Sequence, residues 1–148
     1  MMMKIITELN SLHGHQLFSL QKKAYAVEAE MIGYFEIPPL LETFDQFTSC
    51  KETFIGFFID GEIAGAISYK NESGQIEICR MIVHPDHFRK GIANALLTHL
   101  QSIVLGEKLT VSTGALNHPA RKLYEKNGFL HTKDVEVAPE FFISLYEK

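Results

Sequence analysis

No apolar run in this chain approaches the ~18 residues that a membrane-crossing helix needs. Its basic residues form no stripe of the kind that tracks a nucleic-acid backbone. Cysteine is scarce: Cys50 and Cys79 alone cannot make the disulfide framework of a small secreted domain. Cys79 lies in an apolar strand pattern, which reads as a small buried hydrophobe rather than a nucleophile. The opening Met1-Met2-Met3-Lys4-Ile5-Ile6 passes directly into Thr7-Glu8, without the longer apolar stretch of a secretory signal. There is no internal repeat, low-complexity tract or linker. These absences lead to the expectation of a cytoplasmic protein without membrane or nucleic-acid partners, with residues 1–148 forming a single domain.

What the chain does contain is ordinary for a packed core: 46% hydrophobic residues, 22% charged residues and a net charge of −4. An acidic balance suits a cationic amine substrate, though only weakly. Ile5 and Ile6 begin a short first strand. Leu17, Leu20, Ala24, Val27 and Met31 recur at helical spacing, with Gly33 as the stop. Tyr34 to Pro39 reads as a break, because Pro38-Pro39 cannot continue a helix. Leu40, Leu41, Phe44 and Phe47 then suggest one second short helix. Two β-rich runs, Phe54–Ile59 and Ile63–Tyr69, flank Asp60-Gly61, a pair suited to a tight hairpin turn with positive φ. Asn71–Gly74 makes the next turn, and 75–83 reads as the third strand of a meander. Ile92, Leu96, Leu100 and Ile103 stripe a helix ending near Gly106. Leu109–Thr113 is a buried strand. Asn117 reads as an N-cap, Pro119 suits the first turn, and Gly128 closes that helix. Two further strands, around Phe129–Val137 and Phe141–Tyr146, complete the order β-α-α-β-β-β-α-β-α-β-β. The aromatic-rich last strand, with Phe141, Phe142 and Tyr146, would suit a homodimer contact.

The segment with most chemistry in it runs from Met81 to Asn94. A strand enters a loop, and the loop opens a helix with no bulky side chain at Gly91 or Ala93. Free backbone N–H groups and the helix dipole make such a junction an anion site fit for a diphosphate, to which Arg89 and Lys90 add charge. The plain alternative is a strand–helix junction that happens to hold a glycine. The segment is neither a P-loop nor a Rossmann fingerprint, since it lacks both a Gly-Lys-Ser/Thr ending and the further glycines.

Val83-His84-Pro85 followed by Arg89-Lys90-Gly91-Ile92-Ala93 resembles the acetyl-CoA motif of GNAT-superfamily N-acetyltransferases, Arg/Gln-x-x-Gly-x-Gly/Ala at a helix start. Asn117–Phe129 is similar to the superfamily's Asn-x-x-Ala-x-x-x-Tyr-x-x-x-Gly-Phe block. Order and spacing both match. The departure is Phe88, which stands where Arg or Gln usually heads the first motif. The resemblance implies an α/β fold: a mixed, mostly antiparallel sheet of six to seven strands with about four helices, splayed centrally at the cofactor site. It implies acetyl-CoA as acetyl donor, an amine acceptor and no metal. By position, the backbone of Met81, Ile82 and Val83 would pair with the pantetheine arm, and Arg89, Lys90, Gly91, Ile92, Ala93 and Asn94 would cradle the diphosphate. Asn117 and Ala120 would contact the cofactor, and Tyr124 would protonate the leaving thiolate. Glu77 matches the general-base position of histone-type members, or else is a solvated strand residue. Ser112 stands where N-terminal acetyltransferases carry a glutamate.

Other groups admit two readings. His84 and His87 have His-x-x-His spacing without an obvious third ligand, which fits the loop better than a metal. Glu28, Glu30, Glu36 and Glu42 either border an acceptor site or form a solvated acidic face. Tyr25, Tyr34 and Phe35 either line an acceptor pocket or pack in the core. A non-catalytic acyl-CoA-binding module is the second functional reading of the same motifs.

Overall fold

The computed structural model describes residues 3–148. Among them, strands β1 (Lys4–Glu8), β2 (Thr53–Ile59), β3 (Glu62–Glu72), β4 (Gln75–Val83), β5 (Lys108–Gly114), β6 (Leu130–Ala138) and β7 (Phe141–Glu147) form one sheet in the order β1-β2-β3-β4-β5-β7-β6. All pairs are antiparallel except β4 with β5. The helices are α1 (Gly14–Ile32), α2 (Pro38–Leu41), α3 (Phe44–Ser49), α4 (Ile92–Ile103) and α5 (His118–Lys126). Among the described residues no helix is long and apolar enough to cross a membrane.

Local chemistry accounts for most boundaries. Asp60 and Gly61 both have positive φ, 50° and 85°, and join Ile59 to Glu62 by a two-residue turn. Gly33 ends α1 in the left-handed region. Asn117 caps α5, its side chain accepting the Ala120 N–H. The break expected over Tyr34 to Pro39 is present up to Ile37, and Pro38-Pro39 open the next helix. The two prolines occupy the first turn of α2, where their missing N–H groups cost nothing. Thr43 then caps α3 in a reciprocal box with Gln46. Three leading helices therefore replace the expected two, giving five in all.

The sheet separates two apolar cores. Leu96, Leu97 and Leu100 of α4 are fully buried against Ile67, Ile76 and Ile78, together with Tyr124, Phe129 and Tyr146. Each such leucine contributes roughly 1.5–3 kcal/mol of transfer free energy. On the opposite face Leu17, Leu20, Ala24 and Ala29 of α1 pack on Ala66 and Ile82, with Phe47 and Phe141. Phe141 and Tyr146 are thus committed to the chain's own cores. Of the three aromatics considered for a homodimer contact, only Phe142 is exposed.

One irregularity positions everything that follows. Ser68 pairs with Arg80 but Tyr69 pairs with Ile78, so Cys79 is an extra residue that bulges β4. The bulge reverses which face the even-numbered residues of β4 meet. Ile76 and Ile78 join the core under α4, whereas Ile82 joins the core under α1. Pairing of β4 with β5 ends at the same place, Ile78 with Val111. Beyond it the two strands part.

Gly65 of β3 sits beneath the start of α4. A Cβ there would meet the Ile82 carbonyl oxygen at 2.8 Å and Ile92 Cγ2 at 2.9 Å. Replacing Gly65 by alanine should therefore lower stability by about 1–3 kcal/mol, the usual cost of overpacking. The shift should show as a lower urea midpoint with an unchanged slope.

Candidate active site

Where β4 and β5 part, a cleft of about 1000 Å³ opens between α1, the 34–42 segment, β4, the 87–94 loop, β5, α5 and β7. Two backbone features face a ligand there. Past Ile78 and Val111 the facing edges of β4 and β5 have no strand between them, so their amides are open to an extended partner. The loop before α4 supplies the second. Arg89 and Gly91 both have left-handed φ, 63° and 78°, on either side of Lys90. No side chain caps the helix at Gly91. The first N–H groups of a twelve-residue helix are thus left free around a concave turn, an arrangement that favours anions.

The residues singled out from sequence fall into two groups. Met81, Val83, Arg89, Gly91, Ile92, Ala93, Asn94, Asn117, Ala120 and Tyr124 all line the cleft. Ile82 and Lys90 do not: the Ile82 side chain is buried under α1, and Lys90 is exposed on the loop. Glu77 is not brought to the cleft either. It is exposed on β4 before the bulge, opposite Lys70 and Thr110. Phe88, the departure from the motif, lines the cleft with its ring half exposed. Tyr25 and Tyr34 line it as well, while Phe35 is exposed and does not. His84 uses Nδ1 to accept the Asp86 N–H, a local turn contact.

Tyr124 is 3% exposed, yet its hydroxyl has no partner among the described residues and is not sealed from the cleft. Burial, reinforced by the nearby Glu28 carboxylate, raises its pKa far above the ordinary phenol value. The phenol is therefore neutral at every physiological pH. Tyr25, also buried, is raised for the same reason, with Glu28 and Tyr124 adding to the effect. The Cys79 thiol is pushed up to about 12, chiefly by burial and then by Glu52 and Glu77. A thiol held protonated in this way is a poor nucleophile.

The most constrained polar group was not evident from sequence. Arg80, 8% exposed, uses Nε and Nη2 on Glu52, Nη1 and Nη2 on Glu42, and Nη1 on Gln21. All five N–H donors of the guanidinium are engaged. Burial alone would raise the Glu42 carboxyl, but hydrogen bonds from Arg80 and Gln21 outweigh it and hold the carboxyl below its ordinary value. Only the acidity of Glu42 hinted at a cleft position. Its partner on β4 lies 38 positions away.

Comparison with known proteins fits this geometry. The profile of the acetyltransferase (GNAT) family matches residues 15–129. The chain belongs to that family. It is 36% identical over 134 residues to UPF0157 protein YqkA of Bacillus subtilis, covering 90% of this chain and 39% of that protein. It is 35% identical over 103 residues to the N-acetylaspartate synthetase of Xenopus tropicalis, covering 61% of this chain and 36% of that one. The chain thus spans under two fifths of the length of these curated relatives. Among solved structures, the PaiA N-acetyltransferase of Thermoplasma acidophilum in complex with coenzyme A superposes with a TM-score of 0.78 at 18% identity, covering 99% of both chains. The splayed seven-stranded sheet is the GNAT fold.

Replacing Arg80 by leucine leaves Glu42 and Glu52 buried without their cation and should cost about 3–5 kcal/mol. The sign with pH follows from the lowered Glu42 carboxyl. Its contribution is complete above the ordinary value of 4.5 and is lost as pH falls through the lowered folded value. Urea unfolding from pH 3 to 7 should show the gap between Arg80→Leu and the native chain widening as pH rises.

Proposed function

We propose that this chain transfers the acetyl group of acetyl-CoA to a primary amine. One observation carries the reading: free amides at the head of α4, the open strand edges and the unpaired Tyr124 hydroxyl all meet in a single cleft. Arg89 and the 91–94 backbone suit a diphosphate, and small residues at Gly91 and Ala93 let it approach the main chain. The parted edges of β4 and β5 suit the amide-rich pantetheine arm, which hydrogen-bonds as an added strand would. Coenzyme A in the PaiA structure supports the same assignment.

At the centre of the cleft the chain's own groups divide the work. A backbone N–H of β4 near Val83 stabilises the tetrahedral oxyanion. Tyr124 donates its phenol proton to sulfur as the carbon–sulfur bond breaks. Asn117 has less freedom than the motif implied, since its oxygen holds the Ala120 N–H and its amide donates to Glu28. It keeps one amide hydrogen for the cofactor. Arg80 is the cation of the 34–42 side of the cleft and is saturated, which favours an acceptor without a carboxylate to bind. The alternative, a non-catalytic acyl-CoA-binding module, would share the cradle but gives the free Tyr124 hydroxyl no task.

Acetyl-CoA at about 100 times its Kd should stabilise the protein by about 2.7 kcal/mol, read as a rise in Tm. Tyr124→Phe should keep that stabilisation while slowing thiol release by roughly 10²–10⁴-fold. Undiminished turnover in Tyr124→Phe removes the tyrosine from the mechanism. Cofactor binding with no thiol release from any amine supports the non-catalytic reading.

A further inference from the structure

Acetyl transfer to an amine that arrives as an ammonium needs a proton acceptor, and Glu77 stands outside the cleft. Four carboxylates do line it: Glu28, Glu36, Glu42 and Glu52. Glu42 and Glu52 are spent on Arg80, and Glu36 is exposed on the connection between α1 and α2. Glu28 differs from all three. It projects from α1 one turn after Tyr25, on the same face, and makes no ion pair among the described residues. Its Oε1 accepts the Asn117 Nδ2–H at 2.8 Å. Asn117 is itself locked, because its oxygen must cap α5 through the Ala120 N–H. One carboxylate oxygen is therefore fixed by a fixed donor. The other, Oε2, has no partner among the described residues and is not sealed from the cleft.

We propose that Glu28 is the proton acceptor for the attacking amine, working beside Tyr124. The inference rests on the acetyl-transfer reading above. The ammonium gives one proton to Glu28 Oε2, which passes it to solvent. The freed nitrogen lone pair forms the carbon–nitrogen bond at the thioester carbonyl. As the tetrahedral species collapses, the carbon–sulfur bond breaks and sulfur takes the Tyr124 proton. Glu28 Oε2 takes the second nitrogen proton and returns it to the phenolate. Products are the amide, free thiol and one proton in solution, so the step balances.

The setting suits the task. Burial raises the Glu28 carboxyl above its ordinary value, and the Asn117 hydrogen bond only partly offsets this. A stronger base than an exposed carboxylate results. The groups facing it are Tyr25 on its own helix and Tyr124 on α5, both neutral. The other titratable and charged groups lining the cleft are Tyr34, Glu36, Cys79, His87, Arg89 and Arg80 with its partners Glu42 and Glu52.

The test uses purified full chain, acetyl-CoA and four acceptors: spermidine, tyramine, lysine amide and an alanine-initiated peptide. With whichever acceptor is turned over, native kcat should fall as pH drops through the raised Glu28 value. Glu28→Gln should lose that acid limb and lower kcat at pH 7 by roughly 10²–10⁴-fold. Its rate should recover towards pH 10, where a substantial share of the amine is neutral before it binds. KM for acetyl-CoA should hold. The Tm of Glu28→Gln at pH 8 should equal or exceed that of the native chain. An acid with a raised folded pKa costs stability once ionised, and the amide removes that cost. Glu28→Asp should retain the acid limb at reduced kcat. An intact acid limb and native kcat in Glu28→Gln overturn the assignment, as does a loss of turnover matched by lost acetyl-CoA binding. Native protein that binds acetyl-CoA but is inert to all four amines removes the acetyl-transfer reading, and Glu28's role with it.

Discussion

Two parallel strands that stop pairing in the middle of a sheet create this protein's cleft. Sheet interiors ordinarily leave no main-chain donor or acceptor unsatisfied. Here β4 and β5 separate after Ile78 and Val111, and the amides beyond must be met by solvent or by a ligand. The bulge at Cys79 falls at the same place and turns β4 over, so that Arg80 and Ile82 point under α1 instead of under α4. A bulge that merely bent an edge strand would have no such consequence. In the centre of the sheet it decides which β4 side chains flank the open backbone.

Arg80 is the natural complement of that bulge. A guanidinium carried to the α1 face by the change of register is desolvated and must be neutralised where it lies. Glu42 and Glu52 supply the charge, Gln21 supplies the remaining acceptor, and the segment between α1 and β2 is thereby drawn over the cleft. Lys22 reinforces the arrangement by donating to the carbonyls of Leu40 and Glu42. The wall of the cleft is held by paired charges, which leaves Glu28 as the buried carboxylate free of a counter-ion.

The sequence motifs and the structure agree best where the signal is local. The Asp60-Gly61 turn, the Gly33 stop, the Asn117 cap and the small residues at Gly91 and Ala93 each depend on a few adjacent backbone angles. Such preferences survive whatever the rest of the chain does. Pro38-Pro39 shows the limit of that logic. The same missing N–H that ends one helix is harmless in the first turn of the next, and composition alone does not say which applies. Glu77 shows a further limit. Its distance from Gly91 along the chain matched a base position, but chain distance does not report which side of a bulge a residue falls on.

Period and turn chemistry were enough to order the elements of a mixed α/β domain, and the resemblance to the GNAT superfamily added the splayed sheet. These are properties of short segments, whose energies are decided within a turn or a strand pair. The groups that tune the cleft are of another kind. Glu28 meets Asn117 across 89 positions, and Arg80 meets Gln21 across 59. Each is an ordinary polar residue in its own neighbourhood of the chain. Burial beside a distant partner is what changes its proton affinity and its role, and only the packing of α1 over the parted strands brings that about.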